Sequence, residues 1–145
     1  MSMRVNRETV WVAELADRPG GLAEKLTPLA EAGANLHFVI ARRNDDAGVD
    51  GVGRGVVFVT PLDGDRQHNA ARLAGFHAST SMHGVRVEGP DRAGLGEVAT
   101  SKLAEAGLNL RGLSAASVDG KCAMHLAFDT EADANTAVQL LKHVR

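Results

Sequence analysis

The chain has 145 residues, the length of one ordinary domain or two small ones, with 16 basic and 18 acidic side chains and a formal net charge of −2. No basic block or stripe stands out, which argues against nucleic acid or an anionic membrane as a partner, and no apolar run of about 18 residues exists to span a bilayer. A single cysteine, Cys122, rules out an intramolecular disulfide; with a charged start, MSMRVNRE, that lacks a signal-peptide core, the expectation is a soluble cytoplasmic protein.

TVWVAEL (9–15) alternates and predicts a half-buried strand with Trp11, Ala13 and Leu15 on one side. From Gly20 to Gly33, Leu22, Leu26, Leu29 and Ala30 recur at i, i+4, i+7 and i+8, one helical stripe. Pro28 interrupts that helix, and a kink is expected there. Gly33 sits where a helix stops in a left-handed residue. NLHFVIARR (35–43) predicts a second strand with Leu36, Phe38 and Ile40 on one side, and VVFVT (56–60) a third. Between them GVDGVGRG (48–55) joins two strands and opens no helix, so it lacks the context of a phosphate cradle and reads as a hairpin loop. A short helix over 65–75 and an edge strand in FHASTSM (76–82) complete the set.

The same order then recurs. GVRVEG (84–89) predicts a strand with Val85 and Val87 inward, and the segment 94–107 a helix burying Leu95, Val98, Ala99, Leu103 and Ala106. LNLRGLSAASV (108–118) and KCAMHLAF (121–128) flank Asp119-Gly120, a favoured hairpin turn. Cys122 alternates with Met124, Leu126 and Phe128 and reads as core. Thr130 and Asp133 give a capping-box signal for a last helix carrying Ala134, Ala137, Val138 and Leu141.

The two halves match in sequence as well as in order. LADRPGGL (15–22) and GPDRAGLG (89–96) place Asp91 74 positions after Asp17 (91 − 17), and at the same offset LAEAGANL (29–36) falls on LAEAGLNL (103–110). A shared offset across two blocks marks an internal duplication. The expected fold is α+β: two ferredoxin-like βαββαβ units in tandem, 7–82 and 83–145, each an antiparallel sheet with both helices on one face. After Leu141 only four residues remain, too few for a full closing strand, so the second unit lacks its C-terminal strand. Its open edge should be filled by a partner chain or by residues 2–8. Units this small are only marginally stable alone.

Each Asp-Arg-x-Gly lies where the first strand enters the first helix. Gly20 and Gly94 let a bound group approach the backbone, and a helix start offers unpaired N–H donors to a carboxylate. Asp17 or Asp91 could receive an ammonium group, so the paired charges fit an α-amino acid. The plainer reading is a turn in its own right, with Asp bonding nearby backbone and Pro fixing φ. Arg18 and Arg92 read as solvated. Asn35 and Asn109 either satisfy local backbone groups or contact a ligand.

ADRPGGLAEKLTPLAEAGANLHFV resembles the ACT domain, a small regulatory fold of amino-acid metabolism, and GPDRAGLGEVATSKLAEAGLNLRGL resembles it with alanine in place of the proline. The likeness spans two copies and most of the chain, as in stand-alone tandem ACT proteins. It implies an amino-acid ligand held between units, the loop before the first helix of one facing the second strand of a neighbour. In serine-binding members a His, a loop Asn and a strand Asn hold the ligand. The loop Asn falls on Asp17 and Asp91, the strand Asn on Asn35 and Asn109, and the His on Leu15 and Gly89, which argues against serine itself. The expected ligand-binding set is therefore Asp17, Arg18, Gly20, Gly21, Leu22 and Asn35, with Asp91, Arg92, Gly94, Leu95 and Asn109.

No paired spacing among the six histidines makes a metal site, and no base-oriented nucleophile is evident. The expectation is a non-catalytic regulator without cofactor or metal, a homodimer, with a metabolic enzyme or regulator as further partner. A rival is an interaction module with no ligand, to which an outward apolar patch at Val10 and Val12 would contribute. A third is an acylphosphatase-like hydrolase, suggested by GRGVVFV (53–59). Val59 stands where that family's arginine belongs, and the segment is not in the strand-to-helix loop.

Overall fold

A computed structural model describes residues 3–44 and 53–144; the expected loop at 48–55 therefore lies mostly outside the described residues. The chain divides into two compact units, Thr9–Ser79 and Met1–Glu8 with Thr80–Arg145. We refer to them as the inserted unit and the split unit.

The inserted unit contains β2 (Trp11–Ala16), α1 (Gly21–Glu31), β3 (Phe38–Arg43), β4 (Arg54–Thr60), α2 (Gly64–Leu73) and the two-residue β5 (His77–Ala78). Its sheet runs β3-β4-β2-β5, with every neighbouring pair antiparallel. Alternation along β2 and β4 sends Trp11, Ala13, Val57 and Val59 into one core with Leu29 of α1, Ala71 of α2 and Phe76, so both helices cover the same face. Leu22 and Leu26 pack against that core as the helical stripe requires. Helix α1 runs through Pro28, whose missing N–H leaves the Glu24 carbonyl without its usual intrahelical donor. Trp11 stacks on His68 with centroids 5.0 Å apart.

Two expectations shift here. β3 begins only at Phe38, and its register pairs Val39 with Val59 and Ile40 with Phe58. Val39 and Ala41 thus share the helix-facing side, while Phe38 and Ile40 line the opposite face with Phe58 and Val12. Leu36 precedes the strand and packs on the core, which is why grouping it with Phe38 and Ile40 fails. Val10, expected as an outward patch with Val12, is buried, and Val12 is half-buried.

The split unit contains β1 (Arg4–Glu8), β6 (His83–Pro90), α3 (Leu95–Glu105), β7 (Gly112–Val118), β8 (Lys121–Phe128) and α4 (Glu131–Leu141), with sheet order β1-β6-β8-β7. Cys122, Met124, Leu126 and Phe128 alternate into a core with Val85, Val87, Leu95, Leu103 and Leu141. Asp119 and Gly120, at φ 49° and 76°, form the expected hairpin turn with both central residues left-handed. The Thr130 hydroxyl accepts the Asp133 N–H at 3.0 Å and caps α4.

Among the described residues the tail after α4 supplies no closing strand; β1 does. It pairs antiparallel with β6, Arg4 opposite Glu88 through Glu8 opposite Gly84. Met3 and Val5 enter the core beside Val144. A fourth strand taken from residues 4–8 thus fills the edge that the sequence left open.

Candidate functional site

Each Asp-Arg-x-Gly segment is a turn feeding a helix. In the inserted unit the Gly21 N–H donates to the Arg18 carbonyl at 3.0 Å, with Pro19 and Gly20 between them. Gly20 has φ 84° and ψ −9°. That is a type II turn: proline sets the first central residue, and the second requires positive φ. In the split unit the Leu95 N–H faces the Arg92 carbonyl at 3.4 Å across Ala93 and Gly94, the latter at φ 81° and ψ 3°. Each turn is also tied to the hairpin beside it, by Asp17 N to Gly53 O at 3.0 Å and by Asp91 N to Gly120 O at 2.8 Å. The two loops are therefore the same backbone device.

The helices that follow begin without a side-chain cap. Their first full-turn bonds are Glu24 N to Gly20 O and Val98 N to Gly94 O. The amides of Leu22 and Ala23, and of Gly96 and Glu97, precede that ladder and carry the partial positive charge of a helix start. No heavy atom lies within 4 Å of where a Cβ would project from Gly20, Gly94 or Gly96. Both turns are open at these glycines among the described residues.

The side chains separate the two copies. Asp17 Oδ2 is 2.6 Å from Arg43 Nε at the end of β3, and Arg18 reaches both carboxylate oxygens of Glu24 at 2.7 and 2.8 Å. By the repeat offset these partners fall on Ser117 and Val98, which carry no charge. Among the described residues, Asp91, Arg92 and Asn109 make no ion pair or side-chain hydrogen bond, and Asn35 makes none either. Arg43 was absent from the sequence-based set. Its signal, a basic pair ending β3, was present in NLHFVIARR but unreadable without the register.

Gly21 and Leu95 occupy the same repeat position and do different things. A Cβ on Gly21 would stand 2.1 Å from the Ala16 carbonyl oxygen, so no side chain fits. Leu95 instead drives its side chain into the core, 3% exposed; only its backbone belongs to the loop. Leu22 is half-buried against the inserted core.

Asn35 and Asn109 are exposed and follow Gly33 and Gly107, left-handed residues ending α1 and α3. Ala34 N donates to Leu29 O at 3.0 Å and Leu108 N to Leu103 O at 2.9 Å, with shorter-range partners from Gly33 to Ala30 and Gly107 to Ala104. These are Schellman endings. β2 and β3 both run antiparallel to β4 and hence parallel to each other. The Asp17 loop leaves the end of β2 while Asn35 precedes the start of β3, so they lie at opposite ends of one sheet. Six strand residues at about 3.3 Å each separate them by about 20 Å. The same holds for Asp91 and Asn109. Within a unit the structure does not bring loop and asparagine together.

Among the described residues no group of three His, Cys, Asp or Glu side chains could hold a metal, and no helix is long and apolar enough to cross a membrane. Cys122 is a free, buried thiol.

No protein-family model matches this sequence, and no curated protein is similar to it in sequence. Solved structures do resemble it. Protein BT0572 from Bacteroides thetaiotaomicron superimposes with a TM-score of 0.74 at 15% identity, over 93% of this chain and 88% of that one. The ligand-free regulatory subunit of aspartate kinase from Thermus thermophilus gives 0.65 at 13% identity, over 99% and 97%. A structure of aspartokinase alpha and beta subunits gives 0.59 at 17% identity, over 97% and 95%. At these identities the likeness is one of fold, and it supports the ACT-like, tandem ferredoxin-like architecture.

Proposed function

We propose that this protein is a non-catalytic regulatory module that binds an amino acid between ACT-like units. The observation that carries the reading is the duplicated type II turn, left-handed and open at Gly20 and Gly94, placed on an uncapped helix start. Such a start takes a carboxylate on the amides of Leu22 and Ala23 or of Gly96 and Glu97. The ammonium group then falls to Asp17 or Asp91. Because Asn35 and Asn109 stand about 20 Å from the loops of their own units, they serve as anchors only for a ligand whose other contacts come from a different unit or a second chain. The fold shared with a regulatory subunit of aspartate kinase supports a regulatory role and makes a metabolic enzyme the natural downstream partner. A cytoplasmic setting belongs to the same reading.

A homodimer is the assembly that would complete the site, and β7 offers the edge for it. Gly112–Val118 carries no charged residue, and Leu113 and Val118 are 43% and 69% exposed. An edge strand without charge or proline invites pairing. Of the two loops, the second has Asp91 and Arg92 without a side-chain partner among the described residues, whereas Asp17 must first leave Arg43. Binding therefore favours the second loop. The ligand acts by its preference for the assembled state, and by no more than that preference.

Thermal shift against the twenty amino acids tests this. One or a few should raise the melting temperature, with Asp91→Asn weakening the response more than Asp17→Asn. A flat profile across all twenty would sink the amino-acid reading.

A second reading, an interaction module without ligand, is favoured by one observation: Gly20 and Gly94 are already required by the turn itself. It predicts the flat profile together with a stable complex through β7.

A further inference from the structure

We propose that β1 is an exchangeable closing strand: the β6 edge it covers also accepts β1 of a second copy of this chain, giving a strand-exchanged dimer. The inference rests on the fold and is independent of the amino-acid reading. β1 alone in the split unit is separated in sequence from the rest of that unit, by the whole of Thr9–Ser79. Its seat is formed by residues that follow that insertion. Arg7 Nε donates to the Gly84 carbonyl at 3.1 Å and its Nη1 to Asn135 Oδ1 at 2.7 Å. Arg4 pairs with Glu88 at 2.6 Å. Glu8 lies opposite Gly84, whose lack of a side chain lets it reach His125 of β8 at 2.7 Å. The Met3 thioether occupies the space where a Cβ on Gly89 would stand. These contacts are indifferent to which copy supplies the strand, and a reciprocal exchange fills both seats and leaves neither β6 edge open.

The link favours exchange. Glu8 is held in the ladder with Gly84, and the Val10 carbonyl accepts the Ser79 N–H at 2.8 Å in the other unit. Thr9 alone connects the two ladders. A one-residue link gives β1 little slack, and short hinges invite swapping when strain is placed on them. A peptide of unrelated sequence would forgo the Arg4–Glu88, Glu8–His125 and Arg7–Asn135 contacts and leave the Met3 slot empty. A second copy of β1 is the occupant that fits.

Asn6 and Arg86 are opposite one another in the ladder, on the face away from the core, so the full chain can be tested directly. Asn6→Cys protein and Arg86→Cys protein are mixed, taken through a reversible urea transition and oxidised mildly. Cys122 is on the core face and buried. The expected product is a disulfide-linked heterodimer joining positions 6 and 86, its yield rising with protein concentration. Inserting Gly-Gly-Ser-Gly between Glu8 and Thr9 should lower that yield several-fold. The single chain carrying both cysteines should close its own disulfide, showing that fold and geometry are intact. If that control closes while no heterodimer forms at any concentration, or if the insertion leaves the yield unchanged, the proposal is overturned.

Discussion

The two repeats use the same turn and spend their side chains differently. In the inserted unit the loop is charge-paired, Asp17 with Arg43 and Arg18 with Glu24, and Gly21 is pressed against the Ala16 carbonyl. In the split unit Asp91 and Arg92 have no protein partner among the described residues, and Leu95 fills the core. The outer sheet faces diverge in the same spirit. Val12, Phe58 and Ile40 form an apolar row in one. Arg4 and Arg86 pair with Glu88 on the other, beside a Glu8–His125 contact. Backbone geometry demands left-handed glycines in both copies, whereas charge and packing are set by local neighbours and were free to part.

The largest expected effect tests position 21 against position 95. Leu95→Ala should cost about 3 kcal/mol, by removing a buried leucine from the split core. Gly21→Ala should cost about 2 kcal/mol for the opposite reason, since the added Cβ meets backbone that cannot yield. Urea titrations read both. Trp11 is the only tryptophan and lies in the inserted core, so its fluorescence should register Gly21→Ala directly, while circular dichroism registers both. Coincident transitions by both probes in each variant would mean that the units unfold as one.

Next in size, Gly20→Ala and Gly94→Ala should each cost about 1 kcal/mol, because an L side chain at positive φ is strained even in open space. Here the repeats should agree. A neutral result at either position would show that its turn is not held in the described conformation. Smallest is the charge comparison. Asp17→Asn should lower stability by at most about 1 kcal/mol, as expected for an exposed ion pair that water screens, and the loss should shrink in high salt. Asp91→Asn should leave the melting temperature unchanged in the absence of ligand. A clear loss there would reveal a partner for Asp91 and dissolve the contrast.

Much of this architecture was legible in the letters. The alternation in KCAMHLAF, the stripe Leu22-Leu26-Leu29 and the cap at Thr130 each report a local rule, and local rules survive in the fold. Side assignment in β3 was not legible, because Leu36 precedes the strand, and one residue of uncertainty in a strand's start inverts its faces. Val10 offered no cue to its burial, since a lone valine at a strand's start fits either side. The turns were readable as turns from Pro19, Gly20 and Gly94. The neutralisation of Asp17 by Arg43 was not, because it depends on which strand ends where. The distance between each loop and its own asparagine follows only from strand direction.

The placement of β1 has a consequence for how the molecule is made. Arg7 meets Asn135 across 128 positions, and Arg4 must wait for Glu88. During synthesis the segment 9–79 can collapse on its own contacts while residues 4–8, already outside the ribosome, have nothing to pair with. Completion of the split unit then awaits late-arriving strands, and long-range closure of this kind is slow. The nascent strand spends that interval as an unsatisfied edge, open to pairing with another chain until the split unit closes.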